Sequence, residues 1–337
     1  MGGNAIQNIR RYDAFEYHQL VEEVLSKLQN IFPGHRIEVL KSFRNKESFG
    51  DMDILLESFD FQGVNFKEII TNQFNSKQIV HNGNCYSFEF KDFQIDLILF
   101  SSNHYETARN YYAWNDLGNF LGRVCKRFDL KLGFDGLICV FRDNTYEFAE
   151  VPVSTNFRDI LLFLGYDPIE YENGFDSLED IFKYAASSPF FNKEIFAYHN
   201  RNHTARTRDR KRKNYREFLI WLETRNDLPE YNWSSLSELG GISIPKENLN
   251  RIFTFFPEFE PKYYETMEQF NLWRKAKEIF NGQIVRELTG LTDRELGKFM
   301  QYIKLKIPKR EILVNMLPEQ VAALVNAEYE EYKKNNC

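Results

Sequence analysis

The 337-residue chain has few of the features that would assign its class at a glance. There are four cysteines, Cys85, Cys125, Cys139 and Cys337, scattered and without a Cys-x-x-Cys pair. Such spacing provides neither a disulfide framework nor a thiolate zinc site, and it fits reduced thiols and a cytoplasmic setting. Long apolar runs are missing. LICVF at 137–141 falls far short of the ~20 residues a bilayer crossing needs, so no membrane partner is expected. The opening MGGNAIQNIRRYDAFEY has no apolar signal-peptide stretch, and Ile6 stands where a myristoylation signal needs Ser or Thr. Internal repeats and low-complexity tracts are also lacking.

Aromatic residues, by contrast, make up 16 % of the chain, 32 of them Phe, and hydrophobic residues 43 %. That is ample material for a packed core and excludes a largely disordered chain. The net charge of −6 argues against a polyanionic partner when taken globally, but its distribution argues the other way. RNHTARTRDRKRKNYR, residues 201–216, sets Arg201, Arg206, Arg208, Arg210, Lys211, Arg212, Lys213 and Arg216 against the single acid Asp209. The segment is +7, which leaves −13 on the remainder. A run of this kind is either a solvated helix face or a phosphate-binding surface, and its interleaved Asn, His203 and Tyr215 favour phosphate contact.

Periodicity predicts a helix over 12–31, with Leu20, Val24, Leu28 and Ile31 on one face. Strands are expected at 36–40 and 52–57, and a hairpin at 85–90 and 93–100 about Lys91–Asp92. A helix followed by strands implies an α+β sheet domain to residue 102. From 104 onward the pattern reads as helix, chiefly 112–128 and 154–166, with a boundary at Asp167–Pro168. The remaining residues, 169–337, read as mostly helical. Ser177 and Asp180 mark one helix start; Gly290 marks a stop, with Thr292 and Glu295 as a capping box for the next helix.

Three aspartates carry the chemistry. In GDMDILL, Asp51 and Asp53 are two apart, so on a strand they share a face while Met52 and Ile54 point to the core. Spacing alone is weak evidence, since most such pairs are turns or solvated faces. Asp96, however, interrupts the apolar strand FQIDLILF, where an unpaired buried charge is costly. If the two strands are neighbours, three carboxylates converge, and clustered oxygen ligands select Mg²⁺ or Mn²⁺.

The wider segment SFRNKESFGDMDILL, residues 42–56, closely resembles the palm signature of family X DNA polymerases, within the polymerase-β-like nucleotidyltransferase superfamily. The resemblance extends to Asp96 in FQIDLIL, to YYAWNDLGNFLGR (111–123), which is similar to that family's nucleotide-contacting thumb helix, and to FRDILLFLGYDP (157–168). It covers residues 10–168, and several of its motifs occur in order. It implies an α+β nucleotidyltransferase palm with a mixed sheet over 1–102, a small thumb over 103–168, and, beyond the resemblance, a helical nucleic-acid-binding domain over 169–337.

The same resemblance implies that Asp51, Asp53 and Asp96 bind two Mg²⁺ ions and that Asp96 accepts the proton of a 3′-hydroxyl. It places Ser42, Arg44, Ser48 and the N–H of Gly50 around a nucleoside triphosphate, with Arg10 or Arg11 reaching its last phosphate; Lys46 reads as a solvated charge. Tyr111 and Tyr112 fall beside the sugar, Asp116 and Asn119 beside the base, and Arg123 against the nucleic acid. The basic residues Arg206, Arg208, Arg210, Lys211, Arg212 and Lys213 would grip a DNA or RNA strand near its 3′ end. Two positions depart from the family's pattern, Lys41 and Trp114, where it has glycines. The family's lyase domain and helix-hairpin-helix motifs are not recognisable either.

The expected activity is transfer of a nucleoside monophosphate from an NTP or dNTP to a nucleic-acid 3′ end. Three alternatives compete: a template-independent RNA nucleotidyltransferase of CCA-adding or poly(A) type, a catalytically inactive nucleic-acid-binding module, and transfer to a protein or small molecule.

Overall fold

The computed structural model describes residues 5–58, 63–143, 146–228 and 244–336; Gly2 and Cys337 lie outside them. The chain is α+β and forms two compact units, Met1–Thr145 with Pro152–Pro257, and Tyr146–Val151 with Glu258–Cys337. Neither 102 nor 168 is a division between compact units, and the basic run belongs to the same unit as the sheet.

The first unit opens with β1 (Tyr12–Asp13), α1 (Ala14–Ile31), β2 (Ile37–Val39), β3 (Ser48–Phe49), β4 (Asp51–Ser58), α2 (Phe66–Phe74), β5 (Ile79–Asn82), β6 (Cys85–Phe90) and β7 (Phe93–Ser101). It continues with α3 (Ser102–Tyr112), α4 (Leu117–Val124), β8 (Leu130–Gly133) and β9 (Gly136–Asp143). The strand β10 (Tyr146–Ser154) is followed by α5 (Phe157–Phe163), α6 (Pro168–Asn173), α7 (Leu178–Ala186), α8 (His203–Lys211), α9 (Lys213–Glu223) and α10 (Lys246–Phe255).

Five strands form a mixed sheet in the order β2-β4-β7-β6-β5. Only β4 and β7 run parallel. Lys91 and Asp92 both adopt left-handed backbone angles, φ 55° and 60°, the conformation a two-residue hairpin turn requires. That turn sets the β6–β7 register, which pairs Ser87 with Asp96. Alternation along the central strands feeds two cores. Met52, Ile54, Leu56, Phe93, Ile95 and Leu97 pack with Leu20, Val24 and Leu28 of α1 and with Phe66, Ile70 and Phe74 of α2. On the other face Leu55, Ile98 and Phe100 pack with Tyr105 and Ala108 of α3. Helix α1 begins at a capping box in which Asp13 and Glu16 satisfy each other's backbone N–H groups.

Four expectations need correction. The single helix over 112–128 is broken: Trp114 and Asn115 take left-handed angles, φ 58° and 62°. The chain then turns back so tightly that a Cβ on Gly118 would lie 2.0 Å from the Tyr111 carbonyl oxygen. Second, residues 130–154 contain strands rather than helix. Residues 137–141 are buried without interruption, so no alternation marks them as strand. Third, the boundary at Asp167–Pro168 separates two helices of one compact unit: α5 ends at Phe163, and Pro168 opens α6, capped by Asp167 through the Ile169 N–H at 2.8 Å. Fourth, Gly290 does end a helix in the left-handed conformation, but Thr292 makes no side-chain cap and Glu295 pairs with Lys298 at 2.9 Å.

The second unit, beyond the β10 segment, consists of α11 (Phe259–Ile279), α12 (Gly282–Thr289), α13 (Asp293–Ile303), α14 (Arg310–Leu313) and α15 (Pro318–Asn336), packed about Val285, Phe299, Ile303, Val321 and Val325. Among the described residues no helix is long and apolar enough to cross a membrane. Cys85, Cys125 and Cys139 are buried free thiols.

The basic run forms α8 and α9, joined by Arg212 in an extended conformation. Its one acid, Asp209, is fully buried and pairs with the buried Arg201, with Arg208 at 3.2 Å and with Arg123 at 3.5 Å. Removing one partner of a buried ion pair strands the other. Asp209→Ala is therefore expected to destabilise the first unit by about 3–5 kcal/mol, read as a lowered urea midpoint, whereas neutralising the exposed Lys211 leaves that midpoint unchanged.

Candidate metal centre

The β4–β7 register sets Asp53 beside Asp96 and Asp51 beside Gln94. Asp51 and Asp53 share the strand face of Leu55, and Asp96 shares that of Ile98 and Phe100, so all three carboxylates open on the α3 side of the sheet. One carboxylate oxygen from each residue lies within 4.8 Å of the others.

The three groups are not equally satisfied. Asp96 is buried, and Gln94 Nε2 donates to both of its oxygens at 3.0 and 3.1 Å. The Gln94 Oε1 in turn accepts from the backbone N–H groups of Ala5, at 3.1 Å, and Ile6, at 3.2 Å. Burial, and then the charge of Asp51, push the Asp96 carboxyl up; the hydrogen bonds from Ser87 and Gln94 oppose that. Asp53 has no such support, and its buried Oδ1 accepts no hydrogen bond. Burial first, and then repulsion from Asp51 and Asp96, push Asp53 up to about 7, against the pull of Lys46. Three hard oxygen ligands, one of them orphaned, fit a divalent cation, and the cluster can hold a metal ion.

Cations border the cluster. Lys46 is half-buried, with its ammonium 4.5 Å from the centre of the Phe49 ring, itself stacked on Tyr17 at 3.8 Å. Burial lowers the Lys46 pKa, while Asp51 and Asp53 hold it up. Lys46 is therefore not the solvated charge that the sequence suggests. Arg11 donates through Nε to Ser48 Oγ and through Nη2 to the Ser48 carbonyl, both at 2.8 Å. A Cβ on Gly50 would lie 2.7 Å from Arg11 Nη1, so glycine lets the guanidinium lie against the backbone. Arg10 instead pairs with Glu16 at 2.7 Å.

Arg44 is turned elsewhere: its guanidinium pairs with Asp176 and donates to the Asn173 carbonyl at 2.8 Å. Ser42 is half-buried in a loop tied to β4 by the Leu40 N–H on the Asp53 carbonyl at 2.9 Å.

The 111–123 segment meets the basic helix. Tyr112 packs on Phe100 and Phe134, and its hydroxyl is pushed up to about 12 by burial, with Tyr111 and Asp53 adding to the shift. Burial raises Tyr111 as well, countered by the nearby charges of Arg212 and Arg208. Asp116 pairs with Arg212. Asn119 Oδ1 accepts from Arg208 at 3.4 Å, and its buried Nδ2 has no partner. Arg123 is engaged by Asp209. Arg206 is half-buried, while Arg210, Lys211 and Lys213 are exposed.

Sequence reasoning misses Ser87 and Gln94, which hold Asp96. Both carry a readable signal: each interrupts an apolar strand, Gln94 stands two residues before Asp96, and the turn at 91–92 puts Ser87 opposite it.

The chain matches no protein-family model and no curated protein sequence.

A carboxyl whose pKa is raised by folding stabilises the fold while protonated, and that contribution is lost as pH rises from the ordinary aspartate range through about 7. Asp53→Asn is accordingly expected to stabilise the metal-free protein at pH 8 by about 2 kcal/mol after allowance for solvent screening, and to stabilise it little at pH 4. If the cluster holds a divalent cation, the same variant is expected to lose most of whatever thermal shift millimolar Mg²⁺ gives the wild type. Melting curves at both pH values, with and without Mg²⁺, check this.

Proposed function

We propose that this chain is a divalent-metal-dependent nucleotidyltransferase that adds a nucleoside monophosphate from an NTP or dNTP to the 3′-hydroxyl of a DNA or RNA strand, with release of pyrophosphate. The observation that carries the reading is the convergence of Asp51, Asp53 and Asp96 from adjacent parallel strands, with one Asp53 oxygen orphaned. The nucleotidyltransferase palm fold is part of this proposal, as are Mg²⁺ and the nucleotide and nucleic-acid partners. Two further observations support it. Arg11, Lys46, Ser48 and Gly50 lie together beside the carboxylates, as binding of a triphosphate requires. Exposed cations on α8 and at the start of α9 lie in the same compact unit.

Asp51 and Asp53 would hold two Mg²⁺ ions, or Mn²⁺, with Asp96 on the one nearest the attacking hydroxyl. Ions at such a site make a 3′-hydroxyl more acidic and neutralise charge on the triphosphate. Asp96, steadied by Gln94 and Ser87, takes the hydroxyl proton. The 3′-oxygen bonds to the α-phosphorus, the bond to the bridging oxygen breaks, and pyrophosphate leaves. Lys46 and Arg11 neutralise the phosphates furthest from the bond that breaks.

The test is incorporation of labelled nucleotides in the presence of Mg²⁺ with a gapped duplex, a single strand and a CCA-less tRNA. Extension of at least one is expected, and Asp51→Ala or Asp96→Ala should lower it by about 10³-fold or more, since loss of a metal ligand removes several kcal/mol of charge stabilisation. Extension of the tRNA alone selects the CCA-adding type. Equal failure of wild type and Asp51→Ala, with oligonucleotide binding retained, selects a binding module and ends the enzymatic reading.

A further inference from the structure

The basic segment divides into two rows with different surroundings. The inner row meets the residues of α4 and its entrance in antiparallel fashion. Arg212 pairs with Asp116 just before α4, Arg208 donates to Asn119 Oδ1 at 3.4 Å, and Asp209 lies 3.5 Å from Arg123 further along. Buried Asp209 also pairs with buried Arg201, which fixes the face α8 presents. The outer row, Arg210, Lys211, Lys213 and Arg216, is exposed, with Lys213 also 3.6 Å from Glu217 one helical turn on.

The inner contacts have a directional consequence. Arg208 occupies the carbonyl oxygen of the Asn119 amide, so the atom left over is Nδ2, a buried donor without a partner. A donor in that position calls for an acceptor. Every nucleobase offers one on the same edge, N3 of a purine or O2 of a pyrimidine. Arg212 likewise neutralises Asp116, which keeps a second carboxylate charge from facing an anionic ligand. An arginine already paired with a carboxylate releases little counterion on meeting a phosphate, whereas an unpaired surface cation releases nearly a full one.

We propose that Arg208 and Arg212 are positioning residues of the nucleotide site, holding Asn119 and Asp116 toward the base and sugar of a nucleoside triphosphate, while Arg210, Lys211, Lys213 and Arg216 grip the backbone of the nucleic acid. The helical region beyond residue 168 then completes the nucleotide pocket as well as serving as a handle. This rests on the nucleotidyltransferase reading above.

Two titrations on the full chain separate the rows. A non-hydrolysable α,β-methylene triphosphate with Mg²⁺ reports the nucleotide site, and a single-stranded oligonucleotide at several salt concentrations reports the grip. Arg208→Gln and Arg212→Gln should weaken triphosphate binding by about 10-fold, the usual scale for losing a supporting partner of a site residue. Arg208→Gln should also remove most of the wild type's preference for adenosine triphosphate over its 3-deaza analogue, which lacks the N3 acceptor. Their oligonucleotide salt slopes stay at the wild-type value. Arg212→Lys, which can still pair with Asp116, restores most of the triphosphate affinity. Arg210→Gln with Lys211→Gln lowers the salt slope by about one per cation and leaves triphosphate affinity unchanged.

The inference is overturned if the inner variants lower the salt slope and leave triphosphate affinity untouched, or if Arg212→Lys is as poor as Arg212→Gln while both melt with the wild type. Failure of the wild type to bind the triphosphate at all overturns the parent reading and this one with it, so the two failures are distinguishable.

Discussion

Asp53 and Asp96 face each other across a parallel strand pair, and their burial, together with repulsion led by Asp51, is the constraint that the surrounding structure answers. The repulsion cannot relax by strand slippage. Shifting β4 by one residue against β7 would bury the carboxylates among Leu20, Val24 and Leu28 and expel Met52 and Ile54 from that core. The carboxylates are instead stabilised where they stand, unequally. Asp96 receives neutral donors from Gln94 and Ser87. Lys46 supplies positive charge to Asp51 and Asp53 from a half-buried position. Asp53 Oδ1 receives nothing. One Asp53 oxygen is thus left without a partner, and a divalent cation held by the three carboxylates would relieve their repulsion and satisfy that oxygen together.

The basic region obeys the same rule with the signs reversed. A cluster of guanidinium groups organises around one buried acid, Asp209, as the carboxylates organise around the space between them. The difference lies in what is left over. In the acidic cluster every charge points inward and one oxygen lacks a partner. In the basic cluster the inner charges are paired and the surplus faces outward on Arg210, Lys211 and Arg216. The +7 of the basic run thus divides between inner charges paired with Asp116 and Asp209 and an exposed outer face.

Much of this is legible in the amino-acid sequence. The two aspartates two apart, the third in an apolar strand and the hairpin turn at Lys91–Asp92 follow from side-chain alternation and turn geometry, both local properties. The α1 face over Leu20, Val24 and Leu28 is legible for the same reason. What escapes depends on partners distant in sequence or on the absence of a pattern. Lys46 reads as a solvated charge until Asp51 and Asp53 are folded over it. Strand β9 is buried on both faces, so it carries no alternating signal. The break between α3 and α4 turns on Trp114 and Asn115 in left-handed conformations that no propensity favours for Trp. The pairing of Asp116, Asn119 and Arg123 with the basic run spans some ninety residues, and nothing local to either segment announces it.

The two positions where the chain departs from the resemblance turn out to touch each other. The Trp114 N–H donates to the Lys41 carbonyl at 2.7 Å, and the Lys41 ammonium lies 5.5 Å from the centre of the indole. The indole is buried and packs so closely on Gly174 that a Cβ there would come within 2.4 Å. Arg44 reaches the same loop through Asn173 and Asp176. A glycine at either 41 or 114 would remove one half of this contact, the ammonium or the indole. Each substitution is intelligible given the other. Together they tie the loop after β2 to the turn between α3 and α4, and both to the loop before α7. The loop leading toward Asp51 and Asp53 is thereby anchored. Two departures from the resemblance are one structural brace, and the cation that the fold sets against Asp51 and Asp53 is Lys46 rather than Arg44, which is engaged by Asn173 and Asp176.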